Sequence, residues 1–248
     1  MQAQENQQLE AFIASAAARV SRETFLDKIF ESAAILKNHD PLSTQILPPL
    51  GQTIGIACDE AFSFAYPHIL EGWRTLGAEL SFFAPLENEP PPHADAIFLP
   101  GGYPELHAGK LASNTHFFDA LRAFKGLIYG ECGGYMVLGN GLIDASGQRH
   151  AMAGLVPLTT SFAKRKLHLG YRQLKPLTGP WQQLLRGHEF HYSTIEAQGG
   201  SDPLFNAQDA AGNDLGSIGQ RVGNVMGSYA HVISAAPPLS KAKPEKPI

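Results

Sequence analysis

The sequence predicts an α/β fold: a doubly wound, mostly parallel sheet carrying an N-terminal helical appendage. Three observations lead there. From Gln52 onward, short apolar runs alternate with segments of helical period. One of those runs ends in a cysteine framed by glycines, Gly130-Glu131-Cys132-Gly133-Gly134, and a segment able to form a helix follows at once. The first 50 residues, by contrast, show helical period only. Strands alternating with helices at this spacing build a parallel sheet, whose sites lie at the carboxyl ends of the strands.

The elements follow in order. Leu9, Phe12, Ile13, Ala16, Ala17 and Val20 recur at helical spacing, and Phe25, Leu26, Ile29, Phe30, Ala33 and Leu36 repeat the pattern. Two amphipathic helices are expected, with Ser21 capping the second and Glu23 in its first turn. Asn38-His39-Asp40-Pro41 and Pro48-Pro49 then break helix, so residues 1–50 read as a helical segment and linker. Two such helices must bury their apolar faces on the main domain or on a partner. Thr53 to Cys58 is a buried strand, Tyr66 to Leu76 a helix, and Ala78 to Phe83 a second strand. Ala94 to Leu99 is a third, two helices cover Pro104 to Ala123, and Leu127 to Tyr129 is the fourth strand. Beyond Gly154 strands dominate, with Leu167 to Leu174, Glu189 to Ala197 and Val222 to Met226 as candidates. Residues 51–236 are expected to form the principal domain, and 237–248 a flexible tail.

Composition narrows the function classes. At 248 residues, with 44% hydrophobic and 17% charged residues and a formal net charge of −4, the chain can bury a large core. No basic cluster tracks phosphates, so nucleic acid is not an expected partner. No apolar run approaches the roughly 20 residues of a membrane span. Two cysteines make no disulfide framework, and Met1-Gln2-Ala3-Gln4-Glu5 does not begin a signal peptide, so a reducing, cytoplasmic setting is expected.

The chemistry centres on Cys132. Strand, small residues and helix in that order form a nucleophile elbow, which lifts one side chain at the end of the sheet. The helix after it aims unpaired amides and a positive dipole end at the sulfur, which is expected to favour thiolate over thiol and so raise reactivity. A second glycine-rich loop, Leu99-Pro100-Gly101-Gly102-Tyr103-Pro104-Glu105, follows the third strand. If acyl chemistry occurs at Cys132, the developing oxyanion needs amide donors; the N–H groups of Gly102 and Gly133 are the candidates. Cys58, with no glycine elbow around it, reads as core. For the base, His231, His188 and His191 compete, and spacing alone does not choose. His188 and His191 lack the further ligands of a metal site, so no metal is expected. His39, His68, His93, His107, His116, His150 and His168 read as surface or satisfied groups.

Five motifs carry a family resemblance: Phe98 to Glu105 (FLPGGYPE), Gly130 to Gly139 (GECGGYMVLG), Leu169 to Arg172 (LGYR), Gly187 to Ser193 (GHEFHYS) and Gly227 to His231 (GSYAH). In this order they closely resemble the glutamine amidotransferase domain of cobyrinic acid (hydrogenobyrinic acid) a,c-diamide synthase, and more distantly cobyric acid synthase. The resemblance spans about Thr53 to Ile233. It implies a class I glutamine amidotransferase-like, flavodoxin-like fold. It also implies that Cys132 attacks the side-chain amide of glutamine, that His231 is the base, and that Gly101, Gly102, Tyr103 and Gly133 form the oxyanion and substrate-binding corner.

The family also carries an ATP-dependent synthetase half that uses Mg²⁺, activates the corrin a and c carboxylates and receives the ammonia. This chain has no phosphate-binding loop, since Gly109-Lys110 is followed by Leu111 and lacks the earlier glycine. No cofactor is therefore expected in this chain, and ATP and Mg²⁺ are expected in a partner domain or subunit. Residues 1–50 resemble the tail of that missing half. Many class I amidotransferases place a glutamate two residues after the histidine, and here Ile233 stands there. Glu189 is the candidate orienting group, with His191 and Ser228 as further orienting or interface residues. Three readings stay open: part of a split synthase, a stand-alone cysteine hydrolase, or a noncatalytic binding module. A homo-oligomer stays open as well.

Overall fold

The computed structural model describes residues 8–23, 26–33 and 46–236, and the chain divides into two compact units at Leu42/Ser43. The first unit holds α1 (Leu9–Glu23) and α2 (Leu26–Ser32). Ser21 is not the expected cap, because α1 continues through it to Glu23. Helix-forming residues on both sides outweigh its preference for a terminus, and Arg22 Nε donates to the Ala18 carbonyl one turn back at 3.2 Å. Phe12, Ile13, Val20 and Phe30 are exposed. Phe25, Leu36, the Pro41 break and the 237–248 tail lie outside the described residues.

The second unit opens with β1 (Thr53–Ala57), α3 (Pro67–Thr75), β2 (Glu79–Phe83), β3 (Ala96–Leu99), α4 (Ala108–Ser113), α5 (Thr115–Ala123), β4 (Leu127–Glu131) and α6 (Gly133–Leu138). Short strands follow: β5 (Gly141–Ile143), β6 (Arg149–Ala151), β7 (Leu158–Ser161), β8 (His168–Pro176), β9 (Leu185–His191) and β10 (Thr194–Gln198). The chain ends in β11 (Phe205–Gln208), β12 (Asp214–Ile218), β13 (Gln220–Val222), β14 (Val225–Ser228) and β15 (His231–Ala235).

Six of these strands make the central sheet, in the order β13-β14-β4-β3-β1-β2. Every pairing is parallel except β13 with β14. Alternate residues of a central strand feed opposite cores. On β4, Ile128 joins the cluster with Leu111, Phe117, Leu121 and Leu138, while Tyr129 joins Trp73, Leu174, Leu185 and Phe205 on the other side. Helices α4 to α6 serve the first core; α3 and a five-stranded antiparallel sheet, β12-β11-β8-β9-β15, serve the second. A four-stranded sheet, β10-β7-β5-β6, completes the unit.

Two expected strands are therefore redrawn. Glu189 to Ala197 breaks at Tyr192-Ser193, and its halves enter different sheets. Val222 to Met226 spans the β13/β14 hairpin: Val222 closes β13, Gly223-Asn224 make the turn with Gly223 at φ +61°, and Val225-Met226 open β14. Immediately afterwards the chain leaves the central sheet: Ser228 still pairs with β4, yet His231 pairs with His188 of β9. That crossing delivers a late histidine to the end of β4.

Candidate active site

Cys132 follows β4 directly, with φ +47° and ψ −105°. A side chain in this region costs of order 1–3 kcal/mol and persists only where surrounding contacts fix it. Here they do: Cys132 N–H donates to Ser228 O at 2.9 Å, Gly134 N–H to Pro100 O at 3.1 Å, and Met136 N–H to Cys132 O at 3.0 Å. Gly133 must be small, since a Cβ there would lie 2.8 Å from Pro104 Cδ and 3.0 Å from Gly102 N. The two expected oxyanion residues therefore meet beside the cysteine.

The sulfur does not rest as the expected thiolate. Burial pushes the Cys132 thiol up to about 12, and the carboxylates of Glu105, Glu131 and Glu189 push in the same direction. Only the Gly133 N–H opposes them. A single helix end does not outweigh full desolvation of a charged sulfur. Consistent with a protonated thiol, Sγ lies 4.0 Å from the Phe190 carbonyl oxygen.

His231 is buried beside the same corner. A Cβ on Gly101 would stand 2.3 Å from His231 Cε1, so only glycine leaves room for the imidazole. The rings of Phe64, Tyr66 and His188 surround it. Burial, then the neighbouring His188 and His191, lower the imidazole to about 3. Its buried Nδ1 makes no hydrogen bond. Among the described residues, the acid facing that nitrogen is Glu131, with Oε2 at 4.0 Å. Glu131 Oε1 accepts the Val232 N–H at 3.1 Å, and burial pushes its carboxyl up to about 8. The Tyr129 hydroxyl is close enough to act on the same carboxylate but lies outside hydrogen-bond geometry. Glu131 escaped the sequence reading. The available signal was a carboxylate inside an otherwise apolar strand, which needs a partner when buried.

The other expected residues fall into separate places. Glu189 is held by Arg172, whose Nε and Nη2 donate to Oε2 at 2.9 and 2.6 Å. His188 and His191 are three apart on a strand and face opposite ways. His188 bonds the Tyr66 hydroxyl, whereas His191 stacks between His168 and Tyr229 and bonds Ser193. Ser228 Oγ accepts from the Ala230 N–H at 3.2 Å, closing the β14-to-β15 crossing. Tyr103 packs edge-on against Phe64, which borders His231. Cys58 is exposed rather than core, because β1 ends at Ala57 and carries it just beyond the sheet. Among the described residues, no group of three His, Cys, Asp or Glu could hold a metal ion.

Residues 53–238 match the family model for the CobB/CobQ-like glutamine amidotransferase domain. The chain belongs to that family. Among the relatives of this amidotransferase domain, hydrogenobyrinate a,c-diamide synthase of Brucella anthropi is 52% identical over 239 residues, covering 94% of this chain and 55% of the relative. The Rhizobium meliloti protein of the same name is 49% identical over 242 residues, with the same shares. This chain thus spans about half the length of the curated relatives it matches. A match over 94% of the chain also reaches past residues 53–238 into the N-terminal segment. A crystal structure of a glutamine amidotransferase from Thermotoga maritima is 13% identical, covers 74% of this chain and 76% of that one, and gives a TM-score of 0.47.

Close to the amidotransferase elbow is a cavity of about 390 Å³ lined by Lys166, His168, Glu189, His191, Tyr135 and Tyr229 among others. Cys132 is not in its lining, yet Glu189 and Tyr229 from that lining both interact electrostatically with the sulfur. The corner as a whole combines a buried thiol, a neutral imidazole, two adjacent glycine amides and a carboxyl group. Those are the parts of a nucleophile, a base and an anion cradle.

Proposed function

We propose that this domain hydrolyses the side-chain amide of glutamine at Cys132 and supplies the ammonia to an ATP-dependent amidation. The observation that carries the reading is the strained elbow of Cys132 beside Gly102 and Gly133, with His231 packed on Gly101 of the same glycine loop. His231 takes the thiol proton as sulfur attacks the amide carbon, and the N–H groups of Gly102 and Gly133 hold the oxyanion. His231 then returns the proton to the departing nitrogen, releasing ammonia and leaving a glutamyl thioester. Water, deprotonated by the same imidazole, attacks the thioester; glutamate leaves and the thiol is restored.

The acid–base order supports substrate-triggered attack. With the thiol up at about 12 and the imidazole down at about 3, the resting pair is neutral. Proton transfer becomes favourable only when a bound amide can share the developing charge. The adjoining cavity, with Lys166 and Glu189 in its lining, offers both signs of charge that a zwitterionic amino acid presents. The proposed acceptors are the a and c carboxylates of a corrin, activated with ATP and Mg²⁺ by a companion half of the synthase, in a reducing, cytoplasmic setting. The relatives' names and their greater length support that division of labour. The exposed apolar side chains of α1 and α2 suit contact with that companion.

The test is ammonia release from glutamine by the wild type and by C132A, with and without a synthetase half. The reading expects release from the wild type alone, faster with the companion, and none from C132A. Equal release by C132A would refute it.

A further inference from the structure

Position 233, two residues beyond the base, is isoleucine, so His231 has no acidic neighbour along its own strand. Its Nδ1 is nonetheless buried and unpaired, which is costly unless a partner closes on it during the reaction. The carboxyl of Glu131 is placed to do so. Residue 131 precedes the nucleophile on β4, and the parallel pairing of β4 with β14 brings the start of β15 over it. One oxygen, Oε1, is anchored by the Val232 N–H at 3.1 Å; the other, Oε2, lies 4.0 Å from His231 Nδ1. An approach of about 1 Å makes a hydrogen bond.

We propose that Glu131 is the positioning residue for His231, receiving its Nδ1–H and bearing the counter-charge when the imidazolium forms. The base and its orienting acid are then supplied by two different strands, with the acid adjacent in sequence to the nucleophile. This rests on the glutaminase reading for its kinetic consequence and on geometry alone for the contact. The carboxylate form is required: with Oε1 accepting the Val232 N–H, a protonated carboxyl would turn its O–H toward Nδ1, whereas the carboxylate accepts the Nδ1–H there and leaves Nε2 free to take the thiol proton. The titratable groups around Glu131 are Tyr129 on its own strand, Cys132 next along, His231 from β15 with His188 behind it, and Tyr66 ahead of α3.

Burial holds the Glu131 carboxyl protonated until about pH 8, so its ionisation should appear as a rising limb of kcat toward alkaline pH. E131Q keeps the shape and an acceptor for the Val232 N–H. The variant is expected to lose kcat for glutamine by about 100-fold or more with KM nearly unchanged, and to lose the rising limb. Imidazole nitrogen NMR gives a second readout that needs no turnover. In the wild type above pH 8, His231 should carry its proton on Nδ1, and in E131Q that preference should disappear. A wild-type kcat and pH profile in E131Q, or an unchanged His231 tautomer, would overturn the proposal. If the wild type releases no ammonia while the tautomer still changes in E131Q, the contact stands and the glutamine reading falls instead.

Discussion

The imidazole of His188 lies flat against that of His231, with ring centroids 4.8 Å apart and planes within 4°. Two stacked imidazoles cannot both be charged at little cost, and His188 is one cause of the low proton affinity of His231. The Tyr66 hydroxyl bonds His188 Nε2, and its ring stands edge-on to both imidazoles. In H188Q the repulsion is gone, so His231 should hold its proton to higher pH. The acid limb of Cys132 reactivity, followed by alkylation across pH, is expected to move upward; an unmoved limb would mean that the stack does not tune the base.

Gly101 leaves the space that His231 fills. An alanine methyl there would lie 2.3 Å from Cε1, inside any permitted contact, so G101A must displace the ring. A displacement near 1 Å is expected to cost about 100-fold in kcat while the fold persists. Ammonia release and a thermal melt, measured on the same sample, separate those two effects.

The elbow strain predicts an inverted ranking of small residues. Alanine normally stabilises relative to glycine, but at φ +47° and ψ −105° the order should reverse. C132G is expected to be more stable than C132A by about 1–3 kcal/mol in urea unfolding. A more stable C132A would show that the strain is absent.

Burial sets the pH dependence of stability with one sign for His231 and His191 and the opposite sign for Glu131. His231 is lowered to about 3 and His191 to about 4, so below about 6.5 the unfolded chain binds protons that the folded chain refuses. Stability should therefore fall as pH drops from about 6.5 toward 4, and H191Q should flatten part of that slope. Glu131 is raised to about 8, so its contribution is complete below about 4.5 and is lost as pH rises through 8. Urea midpoints from pH 4 to 9 check both limbs.

What the sequence made legible was local. The elbow is written in consecutive residues, Gly130 to Gly134, and the parallel strands are apolar runs that stand out individually. Pairing across the chain is not written that way. Glu189 to Ala197 looks like one strand because β9 and β10 have similar composition; only tertiary partners, β8 and β15 for one and β7 for the other, separate them. Cys58 differs from a core residue by a single step beyond the end of β1. Glu131 and Val232 are 101 residues apart, so the carboxylate beside the nucleophile looked like a motif letter rather than a neighbour of the base. The thiolate expectation failed because the helix dipole is visible in sequence and desolvation is not.

The most direct measurement uses the two cysteines against each other. Cys58 is exposed and Cys132 is buried, so a nonspecific alkylating agent should favour Cys58. A glutamine-shaped electrophile such as 6-diazo-5-oxo-L-norleucine should reverse that preference if Cys132 is a glutaminase nucleophile activated by its bound substrate. Mass spectrometry of the labelled chain is expected to find one adduct, on Cys132, prevented by excess glutamine and absent in C132A. An adduct confined to Cys58, or labelling of Cys132 that glutamine does not protect, would contradict the account.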